Sequence, residues 1–267
     1  MTIFQSFMLG IIQGLTEFIP VSSTAHLLIT QYLLGIPADD AMFSFLIIVQ
    51  LGTLVSLFIF YWKDLLSIAR ATLRVTRPTP ERNLGFYILL ATIPALLAGY
   101  LLKDAVEALF KTPLLEASIR LLTAAGLLTL AEYLGKRTRK LESMTWLDAL
   151  FVGVMQIISV FPGASRSGTT ISAGIFCGFD RPSAARFAFL MSVPVMLAAG
   201  AYESLDLLKM PNLSQFLPLL AVGFVTAALV GWFAIKWLIN YLGKNSLYVF
   251  AVYCAVVGAI LLIVQVI

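Results

Sequence analysis

The sequence contains very little charge for its length. Of its 267 residues, 12% are charged and 60% are hydrophobic, and the mean hydropathy is +0.94. A soluble domain of this size needs more polar surface than 18 basic and 14 acidic side chains can supply. The apolar runs also lack the alternation that marks barrel strands. The composition therefore predicts an all-α polytopic membrane protein.

Cysteine and histidine are scarce as well, and their scarcity excludes several kinds of site. The two cysteines, Cys177 and Cys254, lie in apolar stretches, where a small buried side chain is far commoner than a disulfide or a metal ligand. His26 is the only histidine, so the chain cannot supply a mechanism that needs two. Residues 1–9 carry no basic side chain, and we expect no cleavable signal peptide.

Long apolar runs make up most of the chain. Six are long enough to cross a bilayer, since about 20 helical residues cover a hydrocarbon core of about 30 Å: 41–61, 84–103, 115–134, 186–205, 216–237 and 247–267. Two other regions, 4–35 and 149–178, are each interrupted at the centre, by Pro20 and Pro162, which an unbroken helix would not tolerate. Their halves are too short to cross singly, so each region predicts a re-entrant helical hairpin.

The second hairpin repeats a polar pattern of the first. The matching pairs are 142 or 143 residues apart: Gly10 with Gly153, Gln13 with Gln156, Pro20 with Pro162, and Ser23 with Ser165. Each half, about 1–140 and 145–267, then contains one hairpin and three spans. Three crossings is an odd number, so the halves must have opposite orientations. This predicts an inverted-topology repeat with a site near the membrane midplane.

The basic residues favour one side of this topology. Thirteen lysines and arginines fall on one side, Arg166 is left over inside an apolar segment, and four fall on the other side: Lys103, Lys111, Arg120 and Lys209. Because basic loops remain in the cytoplasm, the bias predicts a multi-pass protein with both termini on the non-cytoplasmic face. Because the basic residues lie in loops between the apolar spans, the positive net charge does not indicate nucleic-acid binding.

The first hairpin carries side chains that are costly in lipid. Glu17 shares a helix face with Gln13 and must pair, bind a metal or line a water-filled cavity. A carboxylate that merely balances Arg166 is the structural alternative, but an intramembrane carboxylate favours a functional site. Ser22 or Ser23 would cap a helix after the break. His26 lies about one turn further on, where it can serve as a base or a nucleophile.

The second hairpin has the composition of an anion cradle. Gly163 and Gly168 allow close approach of the backbone, and Arg166 offers a planar fork for phosphate oxygens. Hydroxyl side chains surround the arginine: Ser165, Ser167, Thr169 and Thr170. Helix N-termini at the breaks would attract anions further. A glycine-containing turn whose arginine balances Glu17 is the structural alternative.

Together the hairpins predict a cavity suited to hydrolysis or transfer of a phosphoryl group on a lipid. It would combine the anion cradle, a serine–histidine pair and a carboxylate–amide pair able to hold a divalent cation. The oxygen ligands of Glu17 and Gln13 suit Mg²⁺ or Ca²⁺ better than zinc.

Three motifs resemble those of the undecaprenyl-diphosphate phosphatase (bacitracin-resistance) family: Gln13 with Glu17, the run from Pro20 to His26, and the run from Pro162 to Thr170. The resemblance covers essentially the whole chain. It implies a cation-dependent enzyme of the bacterial plasma membrane that removes the terminal phosphate of undecaprenyl diphosphate. The product is the lipid carrier of peptidoglycan synthesis, and the family confers bacitracin resistance when abundant.

The motifs also carry residue roles into this chain. The expected catalytic residues are Glu17, Ser23, His26 and Arg166, and the expected substrate contacts are Ser22, Thr24, Ser165, Ser167 and Thr170. The resemblance makes Glu17 and Gln13 the metal-associated pair. Some relatives have a second glutamate at position 13, so direct ligation by Gln13 stays open. The nucleophile is either Ser23 or His26, with the other as acid or base.

Other functions fit parts of the pattern. A transporter or flippase of a lipid phosphate would use the same cradle on the same inverted repeat. Phosphatases that pass through a phosphohistidine need a second histidine, which this chain lacks. The expected partners are a polyprenyl diphosphate lipid and the bilayer, without nucleic acid, and a homodimer is left open.

Overall fold

The structure is a computed structural model that describes residues 1–37, 40–73, 79–102, 113–159, 164–207 and 213–266. These ranges are helical and contain no strand beyond an isolated bridge between Arg139 and Phe179. In chain order the helices are α1 (Ile3–Thr16), α2 (Ser23–Leu33), α3 (Asp40–Phe60), α4 (Trp62–Leu73), α5 (Pro80–Leu101), α6 (Pro113–Leu134), α7 (Trp146–Gln156), α8 (Arg166–Phe176), α9 (Arg181–Leu207), α10 (Leu213–Leu242) and α11 (Tyr248–Val266).

The predicted all-α membrane architecture is confirmed. Five helices of the described chain are long and apolar enough to cross a membrane, namely α5, α6, α9, α10 and α11. The sixth candidate is α3, which continues into α4 through a bend of 81°. Each predicted span thus corresponds to a helix, and several helices extend beyond the predicted limits.

Helix α4 was not expected from the sequence, where its charges indicated a loop. It is amphipathic, with Ile68 buried and most other positions exposed or half-exposed. Asp64 lies in its first turn and Arg70 in its last, which complements the helix dipole at both ends. A short helix with one apolar face lacks the long apolar run by which the spans were identified.

Both predicted hairpins consist of two short helices. In the first, α1 begins at a capping box between Thr2 and Gln5, and α2 is followed by Gly35 at a φ of 62°. In the second, α7 begins at a capping box between Thr145 and Asp148. Gly178, at a φ of 87°, follows α8. The predicted break at Pro162 and Gly163 lies outside the described residues.

The two hairpins correspond in register at their helix starts and at their terminal glycines. Caps, helix starts and terminal glycines are all 143 residues apart: Thr2 with Thr145, Ile3 with Trp146, Ser22 with Ser165, Ser23 with Arg166, and Gly35 with Gly178. The alignment of Ser23 with Ser165 by sequence therefore needs correction by one residue. The helix cap sets the register, whereas the prolines stand at different distances before it.

Each hairpin packs its first helix against a helix of the other half. Helix α1 lies on α10, and α7 lies on α5. Small residues permit both contacts: a Cβ at Gly10 would meet the backbone of Gly223, and one at Gly153 would meet that of Ala91. This exchange of partners fits a duplicated half. The opposite membrane orientation of the halves stays a prediction.

Charged side chains hold the segment that joins the two halves in place through ion pairs and hydrogen bonds. The buried carboxylate of Glu132 accepts hydrogen bonds from Arg181, Arg137 and the backbone N–H of Leu247. Beside it, Lys140 lies 2.5 Å from a carboxylate oxygen of Asp180. Burial opposes ionisation of Asp180, but hydrogen bonds from Lys140 and Ser183 outweigh it and lower the pKa of this carboxyl.

Candidate active site

The tips of the two hairpins meet through polar side chains. Arg166, the first residue of α8, forms an ion pair with Glu17, which directly follows α1. The hydroxyl of Ser167 lies 3.3 Å from the carbonyl oxygen of Ile19. The side chain of Glu17 is only 3% exposed, while that of Arg166 is 21% exposed. The guanidinium therefore forms the accessible edge of a pair whose carboxylate is buried.

Four donors converge on the Glu17 carboxylate. Oε2 accepts hydrogen bonds from Gln13 Nε2 at 2.8 Å and from Ser23 Oγ at 2.7 Å. Oε1 accepts from Arg166 and, at 3.4 Å, from Nε2 of Gln50. These donors come from α1, α2, α3 and α8. A buried carboxylate is tolerated only when it is paired and hydrogen-bonded, which this arrangement provides.

Gln50 was not among the predicted site residues. It lies in α3, and its contact with Glu17 spans 33 residues of sequence. A signal was present, because Gln50 is the only amide side chain in the predicted span 41–61. Polar side chains in a membrane span face the protein interior or a cavity, as this one does.

The serine–histidine motif forms the start of α2. Ser22 is its N-cap, with the hydroxyl 3.4 Å from the backbone N–H of Ala25, and has a φ of 67°, a value rare for residues other than glycine. Nδ1 of His26 lies 2.9 Å from the carbonyl oxygen of Ser22. Nε2 lies 2.7 Å from the hydroxyl of Tyr253 in α11, a residue that sequence reasoning missed.

The serines of the second hairpin shape the start of α8. Ser165 is the N-cap, accepting from the backbone N–H of Gly168 at 3.2 Å, and its hydroxyl lies 3.3 Å from that of Ser167. The hydroxyl of Thr170 donates to the carbonyl oxygen of Arg166 at 2.8 Å. Thr24, in the first hairpin, is half-buried. None of Ser165, Thr170 or Thr24 contacts the Glu17 carboxylate among the described contacts.

A buried arginine in α6 supports the tip of the second hairpin. Arg120 was expected beside a loop, but it lies inside α6, 6% exposed. Its Nε donates to Glu116 at 2.8 Å, and its Nη1 lies 3.5 Å from the carbonyl oxygen of Ala164, just before the cap of α8. Arg120 therefore does not belong in the count of flanking basic residues, and Arg166 is not the only arginine deep in an apolar segment.

The donor set allows a divalent cation only with help from a substrate. Within the described ranges no three histidines, cysteines, aspartates or glutamates come together. Glu17 is the one carboxylate of the site, and the amide nitrogen of Gln13 points at it, which leaves the Gln13 oxygen as its metal-binding atom. Mg²⁺ is commonly held by one or two carboxylates together with substrate phosphates, and the site fits that pattern.

Comparison with known proteins places the chain in a family. A family model described as bacitracin resistance protein BacA matches residues 6–260. A protein of Mycobacterium marinum named undecaprenyl-diphosphatase is 39% identical over 98% of this chain and 94% of its own length. A Rubrobacter xylanophilus protein of the same name is 40% identical over 97% and 98%. One from Anaeromyxobacter sp. is 42% identical over 97% and 90%. By the whole-length match and these identities, the chain belongs to the BacA bacitracin resistance protein family.

Proposed function

We propose that this protein hydrolyses undecaprenyl diphosphate to undecaprenyl phosphate and inorganic phosphate, which regenerates the lipid carrier of peptidoglycan synthesis. The observation that carries the proposal is the convergence of Glu17, Ser23 and Arg166 where the two hairpin tips meet. An arginine suited to phosphate lies beside a hydroxyl that is bonded to a carboxylate. The names of the relatives supply the substrate.

The terminal phosphate is held between the starts of α2 and α8. Both helices are 11 residues long, and their unsatisfied N–H groups attract an anion at the tip. Arg166, at the first position of α8, neutralises charge on the phosphoryl oxygens while the phosphoryl group is transferred. Ser165 and Ser167 complete the cradle with hydroxyl donors.

Ser23 acts as the nucleophile. Its Oγ attacks the terminal phosphorus, its proton passes to Glu17, and the bond from phosphorus to the bridging oxygen breaks to release undecaprenyl phosphate. Water then attacks the phosphoserine, the Ser23 oxygen leaves and takes back the proton from Glu17, and phosphate is released. The 2.7 Å contact between Ser23 and Glu17 favours this assignment, since Nε2 of His26 already faces Tyr253. His26 serves as acid or base for the water.

Glu17 and Gln13 would hold Mg²⁺ or Ca²⁺ together with the phosphate oxygens of the substrate. The cation supplies Lewis-acid stabilisation of the charge on those oxygens. This role requires Glu17 to exchange at least one of its four hydrogen-bonded partners when substrate binds.

The membrane arrangement completes the proposal. The protein lies in the bacterial plasma membrane with both termini outside, and its halves form an inverted repeat. This rests on the bias of the basic residues and on the exchange of partners between the hairpins. A homodimer stays a hypothesis. Every relative described above has a hydrolase name, and no observation favours the transporter alternative.

Phosphate release from a long-chain prenyl diphosphate in detergent tests the function. We expect release by the wild type, loss on chelation and recovery with Mg²⁺ or Ca²⁺. Glu17→Gln and Arg166→Leu should each lower kcat/KM on the order of 10²-fold or more. The exposed Glu142→Gln variant serves as the matched control. Near-normal release by both site variants would refute the assignment.

Rapid quench with substrate labelled in its terminal phosphate tests the nucleophile. The wild type should carry label on Ser23, and Ser23→Ala should carry none, while His26→Gln should still become labelled. Label on His26 would reverse the assignment of the two residues. Turnover by wild type with no label on either residue would indicate direct attack by water.

A further inference from the structure

A tyrosine from the last helix contacts the histidine of the first hairpin. The hydroxyl of Tyr253 lies 2.7 Å from Nε2 of His26, and the two residues are 227 positions apart. Their rings stack, with centroids 5.7 Å apart and planes inclined by 10°. The imidazole is thus held at both nitrogens, because Nδ1 lies 2.9 Å from the carbonyl oxygen of Ser22.

These two contacts select one tautomer of His26. A carbonyl oxygen can only accept, so the neutral ring must carry its proton on Nδ1. Nε2 then presents a lone pair, to which the Tyr253 hydroxyl donates. The other tautomer would set the Nδ1 lone pair against the carbonyl oxygen of Ser22, which is repulsive.

We propose that Tyr253 is a positioning residue for the hydrolysis: together with the Ser22 carbonyl, it fixes His26 as the Nδ1–H tautomer and orients Nε2 as the basic nitrogen of the site. The inference rests on the proposed function. His26 and Ser23 are three residues apart on α2 and share a helix face, so a fixed imidazole lies next to the reacting phosphoryl group. Tyr253 is 43% exposed, and its contact with His26 lies at the protein surface.

Nitrogen NMR tests the contact without substrate. His26 is the only histidine, so protein labelled with ¹⁵N-histidine and purified through a tag without histidine gives signals from one imidazole. The wild type in its neutral form should show a protonated Nδ1 and an unprotonated Nε2. Tyr253→Phe keeps the ring and removes the hydroxyl. It should shift the Nε2 signal, because the lone pair loses its donor, while the Ser22 carbonyl keeps the proton on Nδ1. Tyr248→Phe is the matched control, on the same helix and equally exposed at 43%.

Steady-state kinetics tests the consequence. Tyr253→Phe should lower kcat about tenfold, a fraction of a full acid–base contribution, and leave KM within about twofold. In a His26→Gln background the same change should have no further effect, because the tyrosine acts through the histidine. An unchanged Nε2 signal, an effect on KM alone, or an additive loss in the double variant would each overturn the proposal. A wild type that shows the expected tautomer but releases no phosphate would instead refute the proposed function.

Discussion

At the scale of single residues, Glu17 is the group on which the site depends. Its carboxylate accepts from Gln13, Ser23, Gln50 and Arg166, so every lone pair that a carboxylate offers has a donor. A buried carboxylate satisfied in this way is held in one position. The four donors are unequal, because the bond from Gln50 is the longest at 3.4 Å.

The length of that bond sets the expected effect of removing it. Gln50→Leu keeps the volume of the side chain and deletes one donor to Glu17. We expect kcat/KM to fall about tenfold, since a hydrogen bond to a charged group contributes about 1.5–3 kcal/mol at ideal length and less at this one. Phosphate release measures the effect, with the exposed Gln265→Leu as control. A fall as large as that of Glu17→Gln would contradict the modest role of Gln50.

Ser22 combines a useful side chain with a costly backbone conformation. It caps α2, yet its φ of 67° is a region that glycine enters more easily. Replacing a capping serine by alanine costs about 1 kcal/mol, whereas glycine costs only a few tenths and relieves about 1 kcal/mol of strain. Thermal unfolding in detergent should therefore place Ser22→Gly at or above the wild type and Ser22→Ala below both. Ser214→Ala, at an exposed position on α10, is the control. An unfolding temperature that is higher for Ser22→Ala than for Ser22→Gly would contradict this account.

At the scale of helices, the pair of Glu116 and Arg120 in α6 supports the second hairpin. Both side chains are buried, and the arginine reaches the carbonyl oxygen of Ala164 just before the cap of α8. Breaking a buried pair by removing one charge leaves the other without compensation. The position of Arg166 at the start of α8 therefore depends in part on α6.

Glu116→Gln should destabilise the protein by about 3–5 kcal/mol, because it removes the buried carboxylate to which Arg120 donates at 2.8 Å. The double replacement Glu116→Leu with Arg120→Met should cost less, since it removes both charges. Unfolding in detergent measures both, and Glu81→Gln is an exposed control. Equal stability of Glu116→Gln and wild type would show that the pair does not support this region.

Elements marked by long apolar runs could be predicted from the sequence, whereas elements marked only by short patterns were missed. The spans follow from long apolar runs, which are local features, and each corresponds to a helix in the described residues. Central prolines indicated the two hairpins, whose re-entrant insertion stays a prediction. Helix α4 was missed because it has only one apolar face. Arg120 was misread as a flanking residue, although Glu116 four positions earlier signalled an ion pair within the helix.

The residues of the site likewise fall into those that the sequence predicted and those that it did not. Gln13, Glu17, Ser23 and Arg166 were predicted because each is a polar group in an apolar segment, and the structure brings them together. Tyr253 could not be predicted, because its contact depends on how α11 packs beside α2, and a tyrosine in a span has no distinctive spacing. The pairing of Ser165 with Ser22 instead of Ser23 also depends on helix caps, which sequence alignment does not weigh.

At the scale of the whole molecule, the register of 143 residues allows a direct test of inverted topology. Thr2 and Thr145 are equivalent caps, and both are exposed. In a background without Cys177 and Cys254, a cysteine at Thr2 should react with an impermeant maleimide added outside intact cells. A cysteine at Thr145 should react only after permeabilisation. Labelling of both from the same side would exclude the inverted repeat, and the matched helix positions make the two reactivities comparable.

The ion pair between Arg166 and Glu17 has a consequence for biogenesis. The two residues belong to different halves, and in the predicted inverted repeat each half must enter the membrane in its own orientation for the tips to meet. A chain with one half inserted the wrong way round keeps every residue of the site but never assembles it. Phosphate release therefore reports that both halves are correctly inserted.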